Sequence, residues 1–269
     1  MQNNKDANKI LLFIPCYNCE KQIKRVLDKL DNEILSYISK VIMVNNRSTD
    51  NTEQVIIEWV QLNKNVDMAL LRNDDNYNLG GSHKVAFEYA ISGGFDYIIV
   101  LHGDDQGSIH DLLPLLHNGI YRDFDCCLGA RFMKGSKLYG YSLLRTFANW
   151  CFNLWFSIVT GRYIRDLGSG LNMYKIDSIK SRYYFRYPDK MFFNDVMILG
   201  SSYYNQKIKY FPISWKEDDQ VSNVKLFNFG LELLRMSFRY LFQRNTYMQC
   251  DMREKTIYNY SYQVIYENI

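Results

Sequence analysis

The chain has 269 residues, 47% of them hydrophobic, and a formal net charge of +3. That length suits one large α/β domain with enough apolar material for a full core, and so small a charge gives a nucleic-acid partner no electrostatic support. No internal repeat, low-complexity tract or Pro/Gly-rich linker divides the sequence.

Residues 1–9 are polar, and the apolar run at 10–15 is too short for a signal-peptide core. A cytoplasmic protein is therefore expected, one that can also sit peripherally at the inner face of a membrane. The continuous apolar run at 10–14 predicts a strand buried on both faces. Cys16 and Cys19 straddle its end, and the adjacent Cys126 and Cys127 point to opposite faces of a later strand. Neither pair converges as a zinc site requires, so reduced, mostly buried thiols are expected.

Ile23, Val26, Leu27 and Leu30 have helical spacing, and residues 41–44 read as a second strand. Asp50 and Glu53 form a cap-like pair before the helix of Val55, Ile56, Trp59 and Val60. Residues 68–71 predict a third strand, a helix should begin near Ser82, and strands are expected at 97–101 and 126–128. Residues 143–159 and 226–242 read as helices. The uncharged stretch at 146–161 would span about 24 Å as a helix, short of the roughly 30 Å hydrocarbon layer. The second helix is apolar nearly all round, with Arg235, Arg239 and Arg244 near its end. It suits either core packing or the plane of a membrane interface.

Strand-helix alternation with short loops implies a largely parallel, Rossmann-like sheet flanked by helices, with further helices at the C-terminal end. Ligands bind beyond the carboxyl ends of such strands, which directs attention to loops 16–20, 45–50, 73–84 and 102–108. Asp104 and Gln106, two residues apart in a tight turn, could supply the one or two oxygen ligands that magnesium takes from protein beside phosphate. Asn78-Leu79-Gly80-Gly81-Ser82-His83-Lys84 reads as a glycine-bearing helix start. A lysine in a first helical turn opposes the helix dipole, so Lys84 there points to a nearby anion such as phosphate. The dinucleotide fingerprint is absent after the first strand, where Pro15-Cys16-Tyr17-Asn18 stands instead.

Taken together, Ile14-Pro15-Cys16-Tyr17-Asn18-Cys19-Glu20, Val44-Asn45-Asn46-Arg47-Ser48-Thr49-Asp50-Asn51-Thr52, Gly80-Gly81 and His102-Gly103-Asp104-Asp105-Gln106 occur in the order seen in family-2 glycosyltransferases. The chain resembles in particular the branch of dolichyl-phosphate mannose synthase and bacterial polyprenyl-phosphate glycosyltransferases. The resemblance implies a GT-A fold over residues 8–220, then a C-terminal helical segment and tail, 221–269, suited to membrane association. It implies inverting transfer from a nucleotide sugar, with a UDP-sugar favoured and a GDP-sugar next, to a polyprenyl phosphate or a lipid-linked or cell-surface glycan. The cofactor implied is Mg2+ or Mn2+, held by Asp104 and Gln106.

By the same resemblance Pro15, Tyr17 and Glu20 line the nucleotide pocket, Asn46 lies near the base or ribose, and Lys84 and Asp104 serve the diphosphate. Arg131, in Gly129-Ala130-Arg131, contacts phosphate, and Arg145 and Asn149 help hold an acceptor phosphate. Asp166-Leu167-Gly168-Ser169-Gly170 matches a segment that follows the acceptor helices. Asp195 stands near the family's usual base for a hydroxyl acceptor, with His102 a weaker candidate. Asn45 and Asn46 replace a common acidic pair, and His102 replaces the first Asp of the metal motif. Those losses leave a catalytically silent nucleotide-sugar-binding relative or scaffold subunit as the alternative. Self-association is compatible with the sequence.

Overall fold

The computed structural model describes residues 8–64, 66–218 and 226–268. Among the described residues ten strands run: β1 (Ile10–Cys16), β2 (Lys40–Asn45), β3 (Met68–Asn73), β4 (Tyr97–Leu101), β5 (Cys126–Ala130), β6 (Lys137–Tyr139), β7 (Leu171–Lys175), β8 (Ile208–Pro212), β9 (Ser214–Lys216) and β10 (Tyr262–Asn268). The α-helices are α1 (Glu20–Leu27), α2 (Asn32–Leu35), α3 (Thr52–Leu62), α4 (Asn78–Ser92), α5 (Leu113–Asn118), α6 (Leu143–Thr160), α7 (Ile176–Ile179), α8 (Phe193–Tyr203) and α9 (Leu226–Gln249).

Eight strands form one sheet in the order β10-β3-β2-β1-β4-β7-β5-β8. The centre is parallel, as strand-helix alternation requires, while β7 and β10 run antiparallel to their neighbours. β1 alternates between two cores. Leu11 and Phe13 face Val85, Phe87, Phe193 and Tyr240, whereas Leu12 and Ile14 face Ile23, Val26, Ile56 and Trp59. Both faces are covered, so every residue of β1 is buried.

The five strands expected from apolar runs are present. Helix α4 begins at Asn78 rather than near Ser82, which moves Lys84 from the first turn to the second. Asp50 and Glu53 do not cap α3 as a pair. Asp50 accepts from Thr52 and Glu20, while Glu53 turns back to Arg72 (Nε–Oε2, 2.8 Å) and Asn45. The boundary expected at 220/221 lies outside the described residues. Beyond it α9 packs beside α6, and the tail returns as β10 to pair with edge strand β3.

Candidate functional site

Three loops meet at the carboxyl edge of β1, β2 and β4. Asn18 donates its backbone N–H to Ser48 Oγ (3.0 Å) and accepts from Thr49 N (2.8 Å), Cys19 N reaches Thr52 Oγ1 (2.8 Å), and Glu20 Oε2 accepts from Asn51 N (2.9 Å). Asn46 N donates to Cys16 O (2.9 Å), and Gly103 N to Pro15 O (3.2 Å). A Cβ on Gly103 would stand 2.9 Å from that carbonyl and 3.4 Å from the sulfurs of Cys16 and Cys19. Only a glycine lets the β4 loop come so close to β1. Pro15 is buried at this seam, while Tyr17 is 52% exposed beside it.

Asn46 is 5% exposed, and both ends of its amide are engaged. Its Oδ1 accepts from Asn73 Nδ2 and Tyr77 N (both 2.9 Å), and its Nδ2 donates to Asn76 Oδ1 (2.8 Å). It therefore shapes the rim, and reaching a base or ribose would cost it one of these bonds.

Asp105 takes a positive φ of 62° and sends its buried carboxylate to Arg25 Nε (2.8 Å) and Lys29. Asp104 and Gln106 stay partly exposed in the same turn, joined by Gln106 N to Asp104 Oδ1 (3.2 Å). Among the described residues no cluster of three or more His, Cys, Asp or Glu could enclose an ion. One carboxylate and one amide fit a magnesium- or manganese-type ion that takes its remaining ligands from phosphate and water.

Lys84 does not join this edge. Its side chain is fully buried, with Nζ 2.6 Å from Asp189 Oδ1, 2.7 Å from Tyr187 O and 3.0 Å from Tyr260 Oη. The anion inferred from its position on α4 is a carboxylate of the chain itself. The N–H groups of Gly80 and Gly81 are likewise spent on Asp189 O. A Cβ on Gly80 would lie 2.4 Å from Pro188 O, so this helix start receives the Pro188–Asp189 turn in place of a phosphate.

The second half of the site gathers around Tyr141. Arg131 is clamped by Asp166 through Nε and Nη2, both 2.8 Å, while its guanidinium carbon lies 5.8 Å from the Tyr141 ring and 5.0 Å from Trp215. Arg145 stacks on the same Tyr141 ring at 4.8 Å and binds Glu217 at 2.5 Å, and Asn149 Nδ2 donates to Tyr141 Oη at 3.0 Å. The three residues expected at an acceptor phosphate thus converge. They connect to the Asp104 turn through β9, since Gly107 bridges to Trp215 and Lys216 N donates to Gln106 O (2.9 Å). Tyr141, Trp215 and Glu217 escaped the sequence reading because only the pairing of two three-residue strands, β6 and β9, brings them here.

Asp195, in the first turn of α8, is 3% exposed. Burial pushes its carboxyl well above the ordinary range, and the Asp166 charge adds to the effect while Arg131 opposes it. His102 lies against Gly170 and 6.1 Å from the ring of His83, and its buried Nε2 has no hydrogen-bond partner. Burial lowers the pKa of both imidazoles, so neither carries charge near neutral pH.

A mostly parallel sheet flanked by helices, with its loops gathered at one carboxyl edge, has the architecture of a GT-A glycosyltransferase. The chain belongs to glycosyl transferase family 2, whose family model matches residues 12–199. It is 23% identical over 175 residues to the undecaprenyl-phosphate mannosyltransferase of Micrococcus luteus, covering 64% of this chain and 69% of that one. It is 24% identical over 181 residues to the UDP-N-acetylglucosamine–dolichyl-phosphate N-acetylglucosaminyltransferase of Methanococcus voltae, covering 64% and 71%.

Solved structures share the fold. The S. aureus TarS 1-349 complex with UDP-GlcNAc superposes with a TM-score of 0.57 at 14% identity, over 89% of this chain and 70% of that one. The mannosyltransferase PcManGT from Pyrobaculum calidifontis, in complex with GDP-Man and Mn2+, gives 0.56 at 11% identity, over 91% and 70%.

Three outcomes follow from this geometry. Gly103→Ala should push the β4 loop away from β1, raising the donor KM about tenfold, a cost of about 1.4 kcal/mol, and lowering the unfolding midpoint because the added Cβ meets backbone; steady-state kinetics beside thermal melts check it. Lys84→Met should cost roughly 3–5 kcal/mol in urea unfolding by leaving Asp189 buried without its cation, and adding Asp189→Leu should recover a large part. Burial raises the Asp195 carboxyl above its unfolded value, so the window in which the folded chain binds this proton more tightly opens at about pH 4. Stability from this group therefore falls as pH rises through that window. Asp195→Asn should flatten the decline, seen as urea midpoints compared at about pH 5 and about pH 8.

Proposed function

We propose that this chain transfers a sugar from a nucleotide sugar to the phosphate of a polyprenyl phosphate, with inversion at the anomeric carbon. The observation that carries the reading is the gathering of two arginines and Asn149 at Tyr141, with the candidate base Asp195 sealed at 3% exposure. A hydroxyl acceptor needs a carboxylate base within reach, and the candidate base here is only 3% exposed. A phosphate monoester is anionic at neutral pH and needs none. Relatives named for transfer to undecaprenyl phosphate and dolichyl phosphate support the same acceptor.

The donor's base is placed on Tyr17, above the Pro15–Gly103 seam, and its diphosphate over the Asp104 turn. A UDP-sugar is favoured, with a GDP-sugar as the second choice; structural relatives hold one or the other. A divalent ion, when bound by Asp104 and Gln106, supplies positive charge for the departing diphosphate. Arg145 takes the acceptor phosphate by exchanging Glu217 for it, and Arg131 stands fixed behind as a second positive charge. The phosphate oxygen forms its bond to the anomeric carbon from the face opposite the breaking bond to the diphosphate, and the electron pair leaves with the nucleoside diphosphate.

Product analysis by mass spectrometry, with UDP- and GDP-sugars offered to polyprenyl phosphate and to short glycans, tests the reading. Asp104→Ala should lower transfer by about 100-fold or more with the fold intact. Asp195→Ala should retain transfer to polyprenyl phosphate within a few-fold. Transfer to glycans alone, lost in a folded Asp195→Ala protein, would overturn the acceptor assignment.

A further inference from the structure

Once α9 ends, residues 251–268 fold back beside β3 and the start of α4 and are fastened there at three places. Strand β10 pairs antiparallel with β3, with Tyr262 opposite Asn73 and Asn268 opposite Met68. Just before it, Tyr260 is 4% exposed at a positive φ of 54°, and its hydroxyl enters the buried cluster of Lys84 and Asp189. Tyr260 Oη donates to Asp189 Oδ1 (2.7 Å) and accepts from Lys84 Nζ (3.0 Å), while Glu254 Oε2 accepts from Asp189 N (2.7 Å). A left-handed backbone is unfavourable for so bulky a residue and persists only where its surroundings fix it. Third, the ring of Tyr258 stands edge-on to Tyr77 with centroids 4.8 Å apart, and Tyr260 meets the same ring at 5.4 Å. Gly81 makes room for this aromatic cluster, since a Cβ there would lie 2.4 Å from Tyr77 Cβ and 3.4 Å from Tyr260 Cε1.

What the tail braces is the loop between β3 and α4. The Asn46 amide is held by hydrogen bonds to Asn73, Asn76 and Tyr77 at the two ends of that loop. Residues 74–77 lie outside helix and strand, and Tyr77, 2% exposed, is their deep anchor. The tail reaches the same residues from the other side. Tyr258 and Tyr260 wall the Tyr77 ring, and Ser261 O accepts from Asp74 N (3.1 Å). Ser261 Oγ and Gln263 Nε2 donate to the Asp74 carboxylate at 2.5 and 3.2 Å. Tyr258 Oη lies 3.5 Å from Asn76 O, too far to be a strong bond, so its ring contact does most of the holding. We propose that the C-terminal tail is a strap that positions the donor site. Tyr258 and Tyr260 are its positioning residues, acting through Tyr77 on Asn46 and so on the nucleotide. The buried Lys84–Asp189 pair anchors the strap at Tyr260. Only the last link, from Asn46 to the nucleotide, rests on the nucleotide-sugar reading.

Amide hydrogen exchange without nucleotide tests the strap apart from the donor. In Tyr258→Ala the amides of residues 73–78 should exchange about three- to tenfold faster than in the unaltered chain, while those of β1 and β4 keep their rates. Tyr258→Phe keeps the ring and should stay near the unaltered rate. Calorimetric titration with UDP and with GDP, in the presence of Mn2+, tests the consequence. Tyr258→Ala should weaken whichever nucleotide binds by a similar factor and raise the donor KM with it, leaving kcat nearly unchanged; Tyr258→Phe should restore both. Unmoved exchange at 73–78 in a folded Tyr258→Ala protein would overturn the strap. Faster exchange there with unchanged nucleotide affinity would remove its role in donor binding. An unaltered chain that binds neither nucleotide would sink the donor reading and the positioning role together, an outcome that the exchange rates distinguish from failure of the strap.

Discussion

The site depends on one close approach, that of the backbone at Gly103 to the carbonyl of Pro15. Adjacent parallel strands end about 4.8 Å apart, and loops leaving them would normally splay by the bulk of their side chains. With no Cβ at position 103 the β4 loop folds over the end of β1. The positive φ of Asp105 then reverses the chain so that its carboxylate runs back to Arg25 and Lys29. Asp104 and Gln106 are left on the open side of the turn. The hydrogen bonds between loops 16–20 and 45–52 each contribute about 1 kcal/mol net, but their larger effect is to fix the edge before any ligand arrives.

The neutral residues after β2 read differently once their partners are visible. Asn45 donates to Glu53 (2.8 Å) and accepts from Ser48 N (2.9 Å), while Asn46 donates to one asparagine and accepts from another. A carboxylate at 45 would face Glu53, and one at 46 could not donate to Asn76. Amides are the side chains that satisfy both demands. The negative charge expected after β2 has not vanished; it resides on Glu53, where Arg72 holds its pKa below the ordinary range and spends its charge. The edge therefore carries less uncompensated negative charge than two further carboxylates would give it, which suits the proposed diphosphate position.

Much of this was readable from the chain because the signals were local. Apolar runs gave the five strands that carry the loops, and the Asp104 turn follows directly from one of them. Lys84 was misplaced for a physical reason. Its helix starts four residues earlier than its glycines suggest, and the buried anion it needs, Asp189, lies 105 residues away in sequence. Position in a helix says that a cation wants an anion, not which one. β7, β8 and β10 likewise have no alternation strong enough to announce them, and their places come from neighbours already in the sheet.

Burial decides which arginine can meet an incoming phosphate. Arg131 and Asp166 are 9% and 0% exposed and joined by paired hydrogen bonds. Pulling them apart would strand a charge in a poorly solvated place, a cost of several kcal/mol. Arg145 and Glu217 are 31% and 21% exposed, joined through one nitrogen, and each can be rehydrated when the other leaves. A partly exposed pair of that kind is less costly to separate than the sealed one, which is why the proposed reading gives Arg145 the exchange. Tyr141 then serves both cations, keeping Arg145 within reach of the ring it shares with the immobile Arg131. On the proposed reading the immobile pair would set the field, and the exchangeable pair would make the contact.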